Sequence, residues 1–417
     1  MEENVEMRIP RACIVRECGY VVLDDENKKA YRVLNKPSYD IVTSEMFKER
    51  EGLFWPRIME KNVSSDDGLI KSDEKFKTVE VEYLEHVVYW TEMSFFDIKQ
   101  SLLFLCDISK YLAESNVHMV SHLWNISLSK GKPFLIDLGD FRRGSNLLAI
   151  YETIVSTLSE KTSHHIPEGY QPSKWMNNHD YILYELEKIR HGIGLEIKDV
   201  NILIDKTRDV VSKIDIKQKH IRWDTYPTQR DMPDTLEGLT AYAPRNRPNL
   251  CKVLESKKPE TLLDLGCSYG LYSFYASSFG TKTVGLDYSH EMISSANKKA
   301  DFLDTDCSFG FIDLLNVKEW GLNGVYESFG KRLKSEAVIA PALLHHVHGR
   351  GTSVEDIIRE WMSCAEKWIM VEHIPNDTTG QIISADKIVE TFKEGGFKNI
   401  SVLDSKPLPR KWILAER

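Results

Sequence analysis

The residues that could do chemistry gather in the second half of the chain. Thr261-Leu-Leu-Asp-Leu-Gly-Cys-Ser-Tyr-Gly270 reads as a buried strand that ends in an acid and opens through glycines into a helix. Open parallel sheets bind ligands at the carboxyl ends of their strands, so a ligand is expected beside this turn. Dinucleotide sites use Gly-x-Gly-x-x-Gly; here the spacing is Gly266-x-x-x-Gly270 after Asp264, which disfavours a nicotinamide cofactor. Ala340-Pro-Ala-Leu-Leu-His-His-Val-His348 reads as the end of a later strand and carries His345, His346 and His348. A neutral imidazole there can take a proton from a hydroxyl. Alternation along an extended strand would put His346 and His348 on one side and His345 on the other, with His348 further out, which gives His346 a slight preference as the proton acceptor. Packing, capping and a two-histidine metal site are the competing readings, the last lacking a carboxylate or cysteine at ligand spacing. Glu372 and His373 end the next strand and either orient a histidine, bind substrate or sit in a solvated turn.

The elements that must position these residues alternate in type from about residue 244. Strands are predicted over 261–264, 282–287, 337–344, 368–372, 400–403 and 412–415, and helices over 271–279, 290–300, 354–367 and 385–394. Gly395-Gly396 supplies a helix stop. The last two strands have no helix between them, so an antiparallel hairpin closes an otherwise parallel sheet. The first half is less regular, with short strands over 18–23 and 29–33 and helical spacing over 97–113. The expected domains are 1–90 (α+β), 91–221 (helical), a structured connector over 222–248 rich in aromatics and prolines, and 249–417.

Composition narrows the function classes. The chain has 417 residues, 42% hydrophobic and 28% charged, enough for two or three domains with substantial cores. Its 54 Lys plus Arg against 63 Asp plus Glu give a net charge of -9, without the general basic footprint of nucleic-acid binding. No apolar run is long enough to cross a bilayer. The acidic Met1 to Met7 does not resemble a secretory signal. Seven scattered cysteines without a Cys-x-x-Cys pair predict neither a disulfide framework nor structural zinc, and suggest a cytoplasmic location.

The Asp264-x-Gly266-x-x-x-Gly270 run, followed by Gly285-Leu-Asp287 closing the next strand, resembles the class I S-adenosylmethionine (SAM) methyltransferases. The resemblance implies a Rossmann-like, seven-stranded α/β domain with SAM as cofactor. It implies that Gly266 and Gly270, with Cys267 and Ser268, line the methionine and ribose moiety, and that Asp264 lies beneath it. Asp287, followed by Tyr288, accepts from the ribose hydroxyls, and Asp313 contacts the adenine. Ser268 stands where many members have a glycine. The histidines then lie where the transferred methyl would sit, with His346, His345 and Glu372 as candidate catalytic residues.

Over nearly the whole chain, His345-His-Val347, Trp368 to Asp377, Pro407-Leu-Pro-Arg410, Gly19-Tyr-Val-Val-Leu23, Ala30 to Asn35 and Glu51-Gly-Leu-Phe-Trp55 resemble the nodulation-protein type of SAM methyltransferase. Those proteins occur in bacterial clusters for nodulation and surface polysaccharides. His118 to Asn125 followed by Phe134 to Gly139 is similar to the catalytic loop and metal-binding turn of kinases, in which Asn125 and Asp137 would hold magnesium. Val120 occupies the position of the catalytic aspartate, and no Gly-rich loop precedes it. The resemblance therefore implies a degenerate kinase-like α+β half, with Asn125 and Asp137 as a vestigial nucleotide or metal site. The expected partner is a small-molecule or glycan acceptor, methylated on a hydroxyl or less favourably an amine. The alternatives are a bifunctional kinase-methyltransferase of surface polysaccharide synthesis and a non-catalytic SAM and nucleotide-binding regulator.

Overall fold

The computed structural model describes residues 19–24, 27–61, 63, 75–119, 123–139, 141–144, 149–159, 171–193, 199–217, 232–314, 333–406 and 409–417. Near its start, segments rich in β-branched and aromatic residues form β1 (Gly19–Asp24) and β2 (Lys29–Asn35). Helices α1 (Lys36–Val42) and α2 (Glu45–Lys48) follow, then β3 (Ile58–Lys61) and β4 (Phe76–Val81). The four strands pair antiparallel in the order β1-β2-β4-β3. Ser94 caps the long helix α3 (Phe95–Glu114) by accepting from the Asp97 N–H. Beyond it lie β5 (Val117–Met119), β6 (Ile126–Ser129), β7 (Lys132–Leu135) and β8 (Phe141–Arg143), paired as β5 with β8 and β6 with β7. Helices α4 (Ala149–Leu158), α5 (His179–Ile193) and α6 (Val200–Ser212) complete this half. Val120 lies outside the described residues.

Of the expected connector, 222–231 lies outside the described residues. The remainder enters α7 (Leu236–Asn246), and Pro248 opens α8 (Pro248–Lys257). Leu239, Ala243, Leu250 and Leu254 are buried in the apolar cluster that holds Leu262 and Phe274, so this segment packs as part of the C-terminal layer. Next come β9 (Thr261–Leu265), α9 (Leu271–Ser277), β10 (Lys282–Asp287), α10 (His290–Leu303) and β11 (Cys307–Phe311). They are followed by β12 (Ser335–Ala340), α11 (Leu344–His348), α12 (Val354–Ser363), β13 (Ala365–His373), α13 (Ala385–Glu394), β14 (Asn399–Asp404) and β15 (Lys411–Glu416). The seven strands run β11-β10-β9-β12-β13-β15-β14, parallel except for the β13–β15 and β14–β15 pairs. This is the Rossmann-like sheet with its terminal hairpin. All five β9 residues are buried, as a strand covered on both faces requires. Gly396, at φ +83°, takes the left-handed conformation just past α13. Among the described residues, no helix is long and apolar enough to cross a membrane.

One expectation fails here. The predicted strand 337–344 ends at Ala340, and the histidines belong to a short helix. Pro341 offers no N–H to continue the ladder, and Ala342 turns the chain at φ +51°.

The two halves share one apolar cluster, in which Trp90, Leu102 and Ile126 pack with Leu263, Val284 and Val371. Asn297 on α10 joins them through polar bonds as well. Its side-chain amide donates to Asp97 of α3 at 3.0 Å and to the Phe309 carbonyl at 2.9 Å, while its oxygen accepts from the Phe309 N–H at 3.0 Å. The tip of the β6–β7 hairpin meets the same helix: a Cβ on Gly131, whose φ is +74°, would lie 2.1 Å from the Asn297 carbonyl oxygen. Gly131→Ala is therefore expected to destabilise the protein by about 1–3 kcal/mol, the usual cost of overpacking. Calorimetry checks this, and an unchanged melting temperature would show that the hairpin tip does not press on α10.

Candidate active site

Strand order reverses at β9, whose neighbours β10 and β12 lead away to opposite sides, and a crevice opens at the carboxyl ends. A cavity of about 1110 Å³ lies there. Gly266, Cys267, Ser268, Asp287, Tyr288 and Asp313 line it, together with His345 and His346 from α11. One space thus collects most of the residues singled out from the sequence.

The turn after β9 is shaped around Asp287. Gly266 and Ser268 both take positive φ, +70° and +53°, which brings the Ser268 N–H to within 2.8 Å of Asp287 Oδ2. The Ser289 N–H donates to Oδ1 at 3.0 Å, and the Ser289 side chain caps α10. These bonds fix both oxygens of a carboxylate that belongs to the cavity lining. Cys267 is buried, which pushes its thiol well up and leaves no reactive thiolate. Tyr288 is half exposed and lies under the Arg350 guanidinium, 5.5 Å from the ring centre. Arg350 also pairs with both oxygens of Asp313, at 3.0 and 3.1 Å.

Two residues of the glycine motif do other work than lining the cavity. Gly270 is not in its wall; a Cβ there would lie 2.5 Å from the Phe309 ring, as would one on Gly285. These glycines admit Phe309 between strand and helix. Asp264 is wholly buried beneath the turn, with Oδ2 accepting from the Ser273 hydroxyl at 2.8 Å and Oδ1 without a hydrogen-bond partner among the described residues. Burial pushes its carboxyl up to about 7, with the nearby Asp287 charge adding to the effect.

The histidines differ in environment. The His345 and His346 rings lie 3.8 Å apart, centre to centre. Burial, then His346 and Arg410, push the His345 imidazole down to about 3, which makes it a weak proton acceptor. Because both stand on a helix, the alternation argument for His346 does not apply. His348 instead bonds Asp377 through Nδ1 at 2.7 Å. Burial opposes ionisation of Asp377, but donors from Thr379, His348 and Gln381 outweigh it and hold the carboxyl well below the usual range. This pair ties α11 to the loop after β13.

Glu372 does not reach the cavity. It is fully buried, and its oxygens accept from Arg247 Nε at 2.9 Å and from the Ser405 hydroxyl at 2.7 Å, with Arg410 at 3.8 Å. It pairs with arginines that do line the cavity and is itself absent from the lining, unlike the rim position expected for it. His373 is also internal, bonding the Ile383 carbonyl at 2.8 Å. The site residues that sequence reasoning missed are Arg247, Tyr272, Arg350, Lys406 and Arg410. Arg410 was visible only as the basic residue before the last strand.

In the other half, Asn125 and Asp137 come to adjacent places, because the Ile136 N–H donates to the Asn125 carbonyl at 2.7 Å. Asp137 accepts from the Gly139 N–H at 2.9 Å and lies 3.7 Å from Arg32. No group of three or more His, Cys, Asp or Glu side chains among the described residues is arranged to hold a metal ion.

Residues 263–366 match the methyltransferase-domain family, so the C-terminal half carries a methyltransferase domain. Among similar solved structures is magnesium protoporphyrin IX methyltransferase from Synechocystis PCC 6803 with bound SAM. It is 15% identical over 48% of this chain and 86% of its own, with a TM-score of 0.33. A SAM-dependent methyltransferase from Mesorhizobium loti is 15% identical over 40% of this chain and 96% of its own, with a TM-score of 0.30. No curated protein matches the chain in sequence.

The buried acid beneath the turn makes a pH prediction. The Asp264 carboxyl lies above its unfolded value, so the folded state holds its proton where the unfolded chain has lost it. Its stabilising effect is full below about pH 4 and is lost as pH rises to about 7. Asp264→Asn, which cannot ionise, is expected to flatten that decline and to gain up to about 4 kcal/mol over the parent at pH 8. Denaturation of both proteins between pH 4 and 8 checks this; parallel curves would mean that Asp264 does not titrate in this interval.

Proposed function

We propose that the chain is a SAM-dependent methyltransferase that acts on a hydroxyl, less favourably an amine, of a small molecule or glycan precursor. The observation that carries the reading is that one cavity holds both Asp287, a carboxylate of the kind that accepts from a diol, and the His345–His346 pair. The methyltransferase-domain match supports it independently. The donor set also fits the group: carboxylates where a diol and an adenine amine would need acceptors, and glycine and serine backbone where close approach is required.

SAM, when bound, supplies a methyl group made electrophilic by its sulfonium. Asp287 fixes the ribose, the turn at Gly266 to Ser268 lies along it, and Asp313 faces the adenine side. His346 accepts the hydroxyl proton of the acceptor at a ring nitrogen, a role for which the neighbouring His345 is disqualified by its own depressed basicity. The ring of His345 then serves as packing against His346.

The finer assignments belong to the same proposal. The motifs at His345 to Val347, Trp368 to Asp377 and Arg410 favour the nodulation-protein type and a place in polysaccharide synthesis in the cytoplasm. The N-terminal half is a kinase-like module without phosphotransfer, used for substrate binding or regulation. The adjacency of Asn125 and Asp137 supports that likeness, and Val120 in place of an acid argues against catalysis.

Calorimetric titration of the full chain with SAM tests the central reading, and a folded protein that does not bind would overturn it. Asp287→Ala is expected to weaken SAM binding by about 1.5–3 kcal/mol through loss of charge-assisted bonds. His346→Ala should leave that affinity nearly intact while turnover of a methyl acceptor falls by about two to four orders of magnitude. Full turnover in the variant would leave positioning of the acceptor, without a histidine base, as the mechanism.

A further inference from the structure

The cavity has a cationic wall that cofactor binding does not account for. Arg247, at the junction of α7 and α8, and Lys406 and Arg410, in the turn between β14 and β15, all reach the lining. Among the described residues a single carboxylate, Glu372, pairs with the two arginines, fully buried and with both oxygens engaged. The remaining lining cation, Arg350, is matched by Asp313. The wall therefore carries two positive charges in excess, in a chain whose net charge is -9; Asp287, the other acid in the lining, leaves the whole cavity with one.

The donors on this wall are unspent. Arg247 gives only its Nε to Glu372, and Arg410, at 3.8 Å from that carboxylate, makes no side-chain hydrogen bond among the described residues. The Lys406 ammonium has no partner among the described residues either. SAM does not neutralise the excess: its carboxylate is outweighed by its ammonium and sulfonium, so it arrives with a net positive charge. Even if that carboxylate takes one arginine, the loaded cavity is more positive than the empty one. Arg410 lines the same cavity as His345 and His346, which places the wall beside the proposed reacting centre.

We propose that this wall anchors the acceptor by a dianionic phosphate monoester, so that the substrate is a phosphorylated small molecule or sugar. The inference rests on the methyltransferase reading. A guanidinium already oriented by a buried carboxylate, as that of Arg247 is, suits phosphate oxygens, which accept parallel N–H bonds; Arg410 adds a second guanidinium and Lys406 a point charge. Charge attraction alone would serve any anion; the doubled excess favours a doubly charged one. The phosphate takes no part in the transfer and fixes the distance from the acceptor hydroxyl to His346.

The test uses the full chain loaded with S-adenosylhomocysteine (SAH), titrated calorimetrically with phenyl phosphate and with inorganic phosphate. Ionic strength is held constant with chloride, and benzoate is the carboxylate comparator. Saturable phosphate binding is expected, at least tenfold tighter than benzoate, and weakened at least tenfold by Lys406→Met combined with Arg410→Gln. Both substitutions spare the Arg247–Glu372 pair, and SAH affinity in the variant should stay within about twofold of the parent. Absence of phosphate binding, equal binding of benzoate, or an unaltered phosphate affinity in the variant overturns the proposal. Loss of SAH affinity in the variant also overturns it, since the cations would then serve the cofactor. A parent that binds no SAH removes the methyltransferase reading and the inference with it, whereas SAH binding without phosphate binding overturns the inference alone.

Discussion

The arrangement of the site depends on the reversal of strand order at β9. A parallel strand covered on both faces has no lateral surface left for polar chemistry, and β9, β10 and β12 are buried almost throughout. Function is confined to the places where the strands end. With β10 and β12 leaving β9 in opposite directions, those ends diverge into a space that needs no further cavity-forming device. Gly266, Asp287, Asp313, His346 and Arg247 come from five separate segments, yet each lies within a few residues of that edge or leans over it.

Three buried acids show how differently the fold handles charge around this edge. Glu372 is compensated by arginines and a hydroxyl, and organises them in return. Asp97 accepts from Ser94 and Asn297, and burial still pushes its carboxyl up to about 6. Asp264 has one hydroxyl donor and no countercharge, and its carboxyl rises further. The difference between Asp97 and Asp264 follows compensation, since removal from water disfavours the charged form unless donors replace what the solvent supplied.

The parts of the fold legible in the sequence are those where local pattern and tertiary environment agree. The second strand of the C-terminal sheet, 282–287, and the helix 385–394 coincide with their expected limits because turn residues and caps delimit them. That Asp287 and Asp313 come to one cavity was legible because each lies at or just beyond a strand end. The histidine segment was not: Ala337 to Leu344 is uniformly apolar, and such a run does not distinguish a strand from a turn and short helix packed on the same core. Glu372 looked like a rim residue because nothing local reveals that an arginine 125 positions earlier and a hydroxyl in a later turn close over it. Long-range charge pairing leaves no periodic trace, and for the same reason the cationic wall was missed. Gly270 belonged to a motif whose spacing suggested a ligand, while its lack of a side chain admits a phenylalanine ring.

Asn297 bears on how such a chain can vary over time. Its amide group satisfies a carboxylate in one half of the protein and both backbone groups of a sheet-edge residue in the other. The role needs a donor and an acceptor on one short planar group, which leaves few amino acids able to fill it. Any lineage that loses the asparagine must alter Asp97 as well and find new partners for Phe309. The halves are thus bound by a shared inheritance: neither can be exchanged for a foreign counterpart, nor drift far alone, without carrying the mark of its companion.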